Sequence, residues 1–123
     1  MSIEQSRVNK IIDQIFECAE TVIEVLGCGF EDKVYERALI YELSKNGFNI
    51  EPQYPINVYY EGIIVGDFYV DILVEKYILV EVVAVDSLTE QHKKKCVNYL
   101  KASELKACLL INFGVPELET YQC

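Results

Sequence analysis

The stretch VGDFYVDILVEKYILVEVVAV, Val65–Val85, decides the fold and supplies the first candidate site residues. Two runs rich in Val, Ile, Leu and Tyr flank Glu75-Lys76-Tyr77, the pattern of adjacent antiparallel strands. Side chains alternate along a strand, so Asp67, Tyr69, Asp71 and Leu73 are expected on one face of the first. Tyr77, Leu79, Glu81, Val83 and Val85 are expected on one face of the second. A three-residue loop at Glu75-Lys76-Tyr77 sets Asp71 directly opposite Glu81. Charge in such apolar surroundings is costly, and two facing carboxylates raise each other's pKa unless a cation lies between them. One reading is a divalent-metal site, its oxygen-only ligands pointing to magnesium or manganese. The other is an edge pair turned to solvent.

Working outward, Val8, Ile11, Ile12, Ile15, Ala19, Val22, Ile23 and Leu26 recur at helical spacing, which predicts a helix from about Ile3 to Leu26. Gly27-Cys28-Gly29 stops it, since glycine accepts a left-handed backbone. A second helix is expected from about Glu31 to Lys45, with Tyr35, Leu39 and Leu43 as its stripe and Asn46-Gly47 as its end. Phe48 to Tyr60 reads as extended chain broken by Pro52 and Pro55. Glu61-Gly62 is a hairpin turn into Ile63-Ile64-Val65. After the two carboxylate strands come a helix over about Thr89–Ala102 and an apolar strand over Lys106–Asn112. Phe113-Gly114-Val115-Pro116 closes the domain, and the tail beyond reads as short and polar. The order of elements is that of an α/β domain with a central mixed sheet flanked by helices, a single domain over 1–123.

Composition narrows the function. An apolar fraction of 51% and a charged fraction of 25% are those of a soluble globule. No run approaches the ~18 apolar residues of a membrane span. MSIEQSRVNK lacks a secretory h-region, and five widely spaced cysteines without a CxxC suit a reducing, cytoplasmic compartment better than a disulfide framework. One histidine and no paired ligand spacing argue against zinc. The net charge of −9 opposes a broad nucleic-acid grip, because phosphate contacts dominate such affinity. The one basic run is Lys93-Lys94-Lys95, which a nuclease would need at the mouth of its site.

Five stretches then carry a family resemblance: GCGFEDKVYERAL (Gly27–Leu39), YEGIIVGDFYVDILV (Tyr60–Val74), LVEVVAV (Leu79–Val85), LTEQHKKKCVNYL (Leu88–Leu100) and LLINFGVPELE (Leu109–Glu119). In order and spacing the chain resembles the GxxExxY proteins, a group within the PD-(D/E)XK nuclease-like superfamily. The resemblance implies a restriction-endonuclease-like core in which a divalent ion activates water against a phosphodiester of DNA or RNA. It places Asp71 at the superfamily's metal-binding Asp and Glu81 at the Glu of its E-x-K element. It places Asp32 at the namesake Glu, so that Asp32, Asp71 and Glu81 are the implied holders of Mg2+ or Mn2+. Glu36, one turn on, is either an alternative ligand or a solvated neighbour.

The departure from the family pattern is Val83, which stands where the E-x-K lysine belongs. Residues i and i+2 of a strand project from one face, so that lysine would point at the reacting phosphate and stabilise its charge. Valine cannot, and loss of one such group costs several kcal/mol of barrier. Lys95 is the replacement candidate, standing where related nucleases carry the Gln of a Q-x-x-x-Y element ending here at Tyr99; a solvent-facing basic run is its other reading. Lys33 lies off the Asp32–Tyr35 stripe. His92, Tyr35 and Tyr99 match motif positions, but packing and hydrogen bonding account for them by default. Two expectations follow: a degenerate fold, weakly active or inactive, with a protein partner or homodimer, or an active nuclease with catalytic Asp71, Glu81 and Lys95.

Overall fold

The computed structural model describes residues 2–123, with the side chain of Ile3 left aside. Helices α1 (Ile3–Leu26) and α2 (Asp32–Lys45) precede strands β1 (Ile50–Tyr60), β2 (Ile63–Val74) and β3 (Ile78–Val83). Helix α3 (Glu90–Ser103) then leads to β4 (Ala107–Asn112) and β5 (Glu119–Gln122). The strands form one five-stranded sheet in sequence order, β1-β2-β3-β4-β5. Only the β3–β4 pair is parallel, because α3 crosses between them; the other three pairs are antiparallel.

Each sheet face has its own core. Against one face α1 and α2 lay Val8, Ile15, Val22, Tyr35 and Leu39, meeting Ile72, Val80 and Ile111. Against the other α3 lays Cys96 and Tyr99, meeting Ile56, Val70, Leu73, Leu79 and Leu110. The central strands are covered on both sides, which is why β3 and β4 read as unbroken apolar runs. Gly27 caps α1 with φ 69°, and its amide reaches Ile23 O, so glycine ends the helix as its backbone freedom predicts.

Two features depart from the expected pattern. The two prolines do not break β1: it runs unbroken from Ile50 to Tyr60, since an edge strand needs no N–H on its outer side. The tail, expected only to be short and polar, forms a strand: residues 119–122 pair with β4, from Asn112↔Glu119 to Leu109↔Gln122.

Beyond the core, β1 and β2 continue as a two-stranded arm turning at Glu61-Gly62. The arm exposes Tyr59, Tyr60, Ile63, Ile64, Val65 and Tyr69. No described helix is long and apolar enough to cross a membrane.

Candidate active site

The hairpin loop sets the register that builds the site. Val74 pairs with Ile78, Tyr77 N reaches Val74 O at 3.1 Å, and Glu75 and Lys76 take left-handed φ values of 52° and 64°. The β2–β3 ladder runs to Ile72↔Val80, and the next step brings Asp71 opposite Glu81. There side chains take over from the ladder. Asp71 N donates to Glu81 Oε1 and Val82 N donates to Asp71 Oδ2, both at 2.9 Å. Each carboxylate therefore satisfies a backbone amide of the opposite strand with one oxygen.

Regular alternation slips at this point. Val70 packs on the α3 side and Ile72 on the α1/α2 side, although both would share a face in a regular strand. Opposite, β1 pairs Pro52 with Ile72 and Tyr54 with Val70, while Gln53 between them takes φ 51°. The irregularity differs from the uniform face expected for Asp67, Tyr69, Asp71 and Leu73. It lets Asp71 reach the α2 side of the sheet.

A third carboxylate meets it there, and it is Glu36. Glu36 is buried, accepts from Gln53 Nε2 at 3.2 Å and from Lys33 Nζ at 3.3 Å, and raises the Asp71 pKa by its charge. Asp32, one turn earlier, is exposed in the first turn of α2. Burial pushes Asp71 up to about 6, against the pull of the Val82 amide, and the Glu36 charge adds to the rise. Burial likewise pushes Glu81 up to about 7, with the Asp71 charge next in importance.

Two cations flank these carboxylates. Lys33 lowers the Asp71 pKa by charge, and Lys95 does the same for Glu81. The Lys95 ammonium stands 5.7 Å from the centre of the Tyr99 ring, and its charge tempers the rise that burial gives the Tyr99 phenol. The basic run is thus divided. Lys93 and Lys94 line a cleft of about 460 Å³ with Glu90, Val97, Asn98 and Tyr121, away from the carboxylates. Val83, half-buried, packs against the α3-side core.

The remaining motif residues have structural work. Tyr35 is buried, donates to Gly27 O at 2.6 Å, accepts from Phe30 N at 3.1 Å and stacks on Phe113. His92 closes a capping box with Thr89, its Nδ1 accepting from Thr89 N at 3.0 Å. Sequence reasoning missed Asn112, which is fully buried and joins three segments. Its Oδ1 accepts from Val85 N and Gly114 N, both at 2.9 Å, and its Nδ2 donates to Val85 O and Glu119 Oε1.

Among the described residues no three His, Cys, Asp or Glu side chains stand ready-arranged around a metal position. The donor chemistry nevertheless suits a hard divalent ion, being carboxylate oxygen alone.

A mixed sheet flanked by helices, with partly buried carboxylates where β2 and β3 part, is the α/β architecture of restriction-endonuclease-like proteins. The chain belongs to the PD-(D/E)XK nuclease superfamily, whose family model matches residues 9–122. No curated protein and no solved structure gives a significant match.

Proposed function

We propose that this chain is a single-domain PD-(D/E)XK protein of the GxxExxY group that retains its divalent-metal ligands but lacks the E-x-K lysine. Phosphodiester hydrolysis by it is then weak or absent. The observation that carries this reading is the paired carboxylate geometry: Asp71 and Glu81 are partly buried, face each other, and are each anchored by a backbone amide. Anchoring fixes their orientation, which a site acting by position requires. Asp71 and Glu81 would hold Mg2+ or Mn2+ together with a carboxylate from α2. Glu36 fits that part through its electrostatic contact with Asp71, and Asp32 is the other α2 candidate. A bound divalent ion supplies Lewis-acid polarisation of a phosphate ester and activation of water. Val83 offers neither charge nor a hydrogen bond to the reacting phosphate.

The second reading, an active nuclease, is favoured by one observation. Lys95 already acts by charge on Glu81 and leans on Tyr99 beside it, so its ammonium can serve a phosphate held there. Lys33 flanks Asp71 from the opposite side. Nucleic acid is the partner in either case if the site binds substrate. The apolar arm at Tyr59–Val65 would serve a second copy or a protein partner.

The test is Mg2+- and Mn2+-dependent cleavage of plasmid, single-stranded and branched DNA, and RNA, by wild type, Asp71→Ala and Val83→Lys. Silence from wild type with cutting by Val83→Lys supports the first reading. Cutting by wild type that Asp71→Ala and Lys95→Ala abolish supports the second. Cutting that survives Asp71→Ala refutes the site assignment itself.

A further inference from the structure

Three of the five cysteines converge where α3 crosses β4 and β5. Cys123 Sγ lies 3.6 Å from Cys96 Sγ and 3.7 Å from the Cys108 carbonyl oxygen. Cys108 and Cys123 are also backbone partners, with N···O distances of 3.1 Å in both directions. Cys96 and Cys108 are fully buried, and Cys123 is half-buried above them. Apolar packing alone does not require sulfur at three meeting positions.

We propose that Cys96 and Cys123 are a modification site, closing an intramolecular disulfide between α3 and the segment following β5 when the protein meets a peroxide. The sulfur atoms are already in contact, and a bond near ~2.05 Å needs them to approach by roughly 1.5 Å. β5 can yield that distance, because it is an edge strand of only four residues. Its opening also admits a small oxidant to Cys96. Cys96 is the attacking sulfur, because it accepts the hydrogen bond that the Cys123 thiol donates at 3.6 Å. Hydrogen bonding from Cys108, and in lesser part from Cys123, holds its thiol below the usual range against the opposing effect of burial. Burial, followed by the Cys96 charge, pushes Cys123 up to about 12, so Cys123 remains a thiol and resolves.

The chemistry balances without a cofactor. The Cys96 thiolate attacks one peroxide oxygen, the O–O bond breaks, and protonation yields a sulfenic acid and water. The Cys123 sulfur then displaces that hydroxyl as a second water, giving Cys96 Sγ–Cys123 Sγ. Hydrogen peroxide is reduced and the two thiols are oxidised by two electrons. The bond pins the turn of α3 that carries Lys95 and Tyr99, and with it the cation that acts by charge on Glu81. Neither the metal nor catalysis is needed for it to form.

The test is a non-reducing peptide map of the full chain bearing Cys28→Ser, which removes the exposed thiol, after hydrogen peroxide and alkylation. The expected result is a Cys96–Cys123 linked peptide pair lighter by two hydrogens, with a raised melting temperature, both reversed by dithiothreitol. Cys108→Ser should leave the link intact. Cys123→Ser should leave Cys96 as a sulfenic acid captured by dimedone. A Cys108–Cys123 link, a link only between molecules, or free Cys96 and Cys123 after treatment would overturn the proposal. The map itself needs no substitution at the pair, so a misfolded variant cannot obscure the outcome.

Discussion

Replacing Glu81 with glutamine should stabilise the protein at neutral pH, although it removes a residue of the candidate active site. Gln keeps an oxygen that accepts from Asp71 N, which the Glu81 carboxylate now does at 2.9 Å. What it removes is a partly buried negative charge beside Asp71. Glu81 titrates at about 7 in the fold against 4.5 in the unfolded chain, so the native state binds more protons between those values. Stability therefore falls as pH rises through this window and levels off above it. The full rise is worth about 3 kcal/mol, and partial exposure and screening bring it to the order of 1–2 kcal/mol. For a domain of this size that is a melting-temperature gain of about 5 °C at pH 8, vanishing near pH 5. Differential scanning fluorimetry of wild type and Glu81→Gln across pH 4.5–8 measures it. Excess magnesium should raise the wild-type melting temperature at pH 8 and leave the variant unmoved. A difference that is flat across pH, or a variant less stable at pH 8, would refute the electrostatic reasoning.

Other substitutions test the frame that holds the site. Gly114→Ala should cost about 3 kcal/mol or more, because an added Cβ collides with the Val85 backbone N and O; chemical denaturation gives the value. Tyr35→Phe removes the bonds to Gly27 O and Phe30 N and should cost about 1–3 kcal/mol by the same method, with the stacking on Phe113 retained. Asn112→Ala leaves the Val85 and Gly114 amides without their acceptor and should cost about 2–4 kcal/mol, with faster hydrogen exchange at both amides. Glu36→Gln should weaken Mn2+ binding at least tenfold by calorimetry, while Asp32→Asn changes it less if Glu36 supplies the α2 ligand.

The carboxylate pair was legible in the sequence because a three-residue loop fixes register, and register fixes which residues face each other. The helices were legible for a similar reason: α1 carries its apolar stripe unbroken and stops at Gly27. β5 was not, since a half-exposed edge strand of sequence ETYQ carries no apolar alternation. Nor was the reach of Asp71 across the sheet. It follows from the irregular backbone at Gln53, and nothing in P-Q-Y-P marks a left-handed residue. Glu36 could be named only as a neighbour of Asp32. Its burial depends on Gln53 and Asp71, residues 17 and 35 positions away that the fold alone brings close. Asn112 sat inside a strand pattern, where its hydrogen bonds to Val85, 27 positions away, left no local trace.

We read the Asp71–Glu81 pair, with an α2 carboxylate, as a divalent-cation site. Calorimetric titration of Mn2+ into wild type and Glu81→Gln, at pH 6 and pH 8 in buffers of different ionisation enthalpy, tests it most directly. The account predicts saturable wild-type binding that releases protons at pH 6, releases few at pH 8, and is lost in Glu81→Gln. Equal binding by the two proteins, or none by wild type at pH 8, would contradict it.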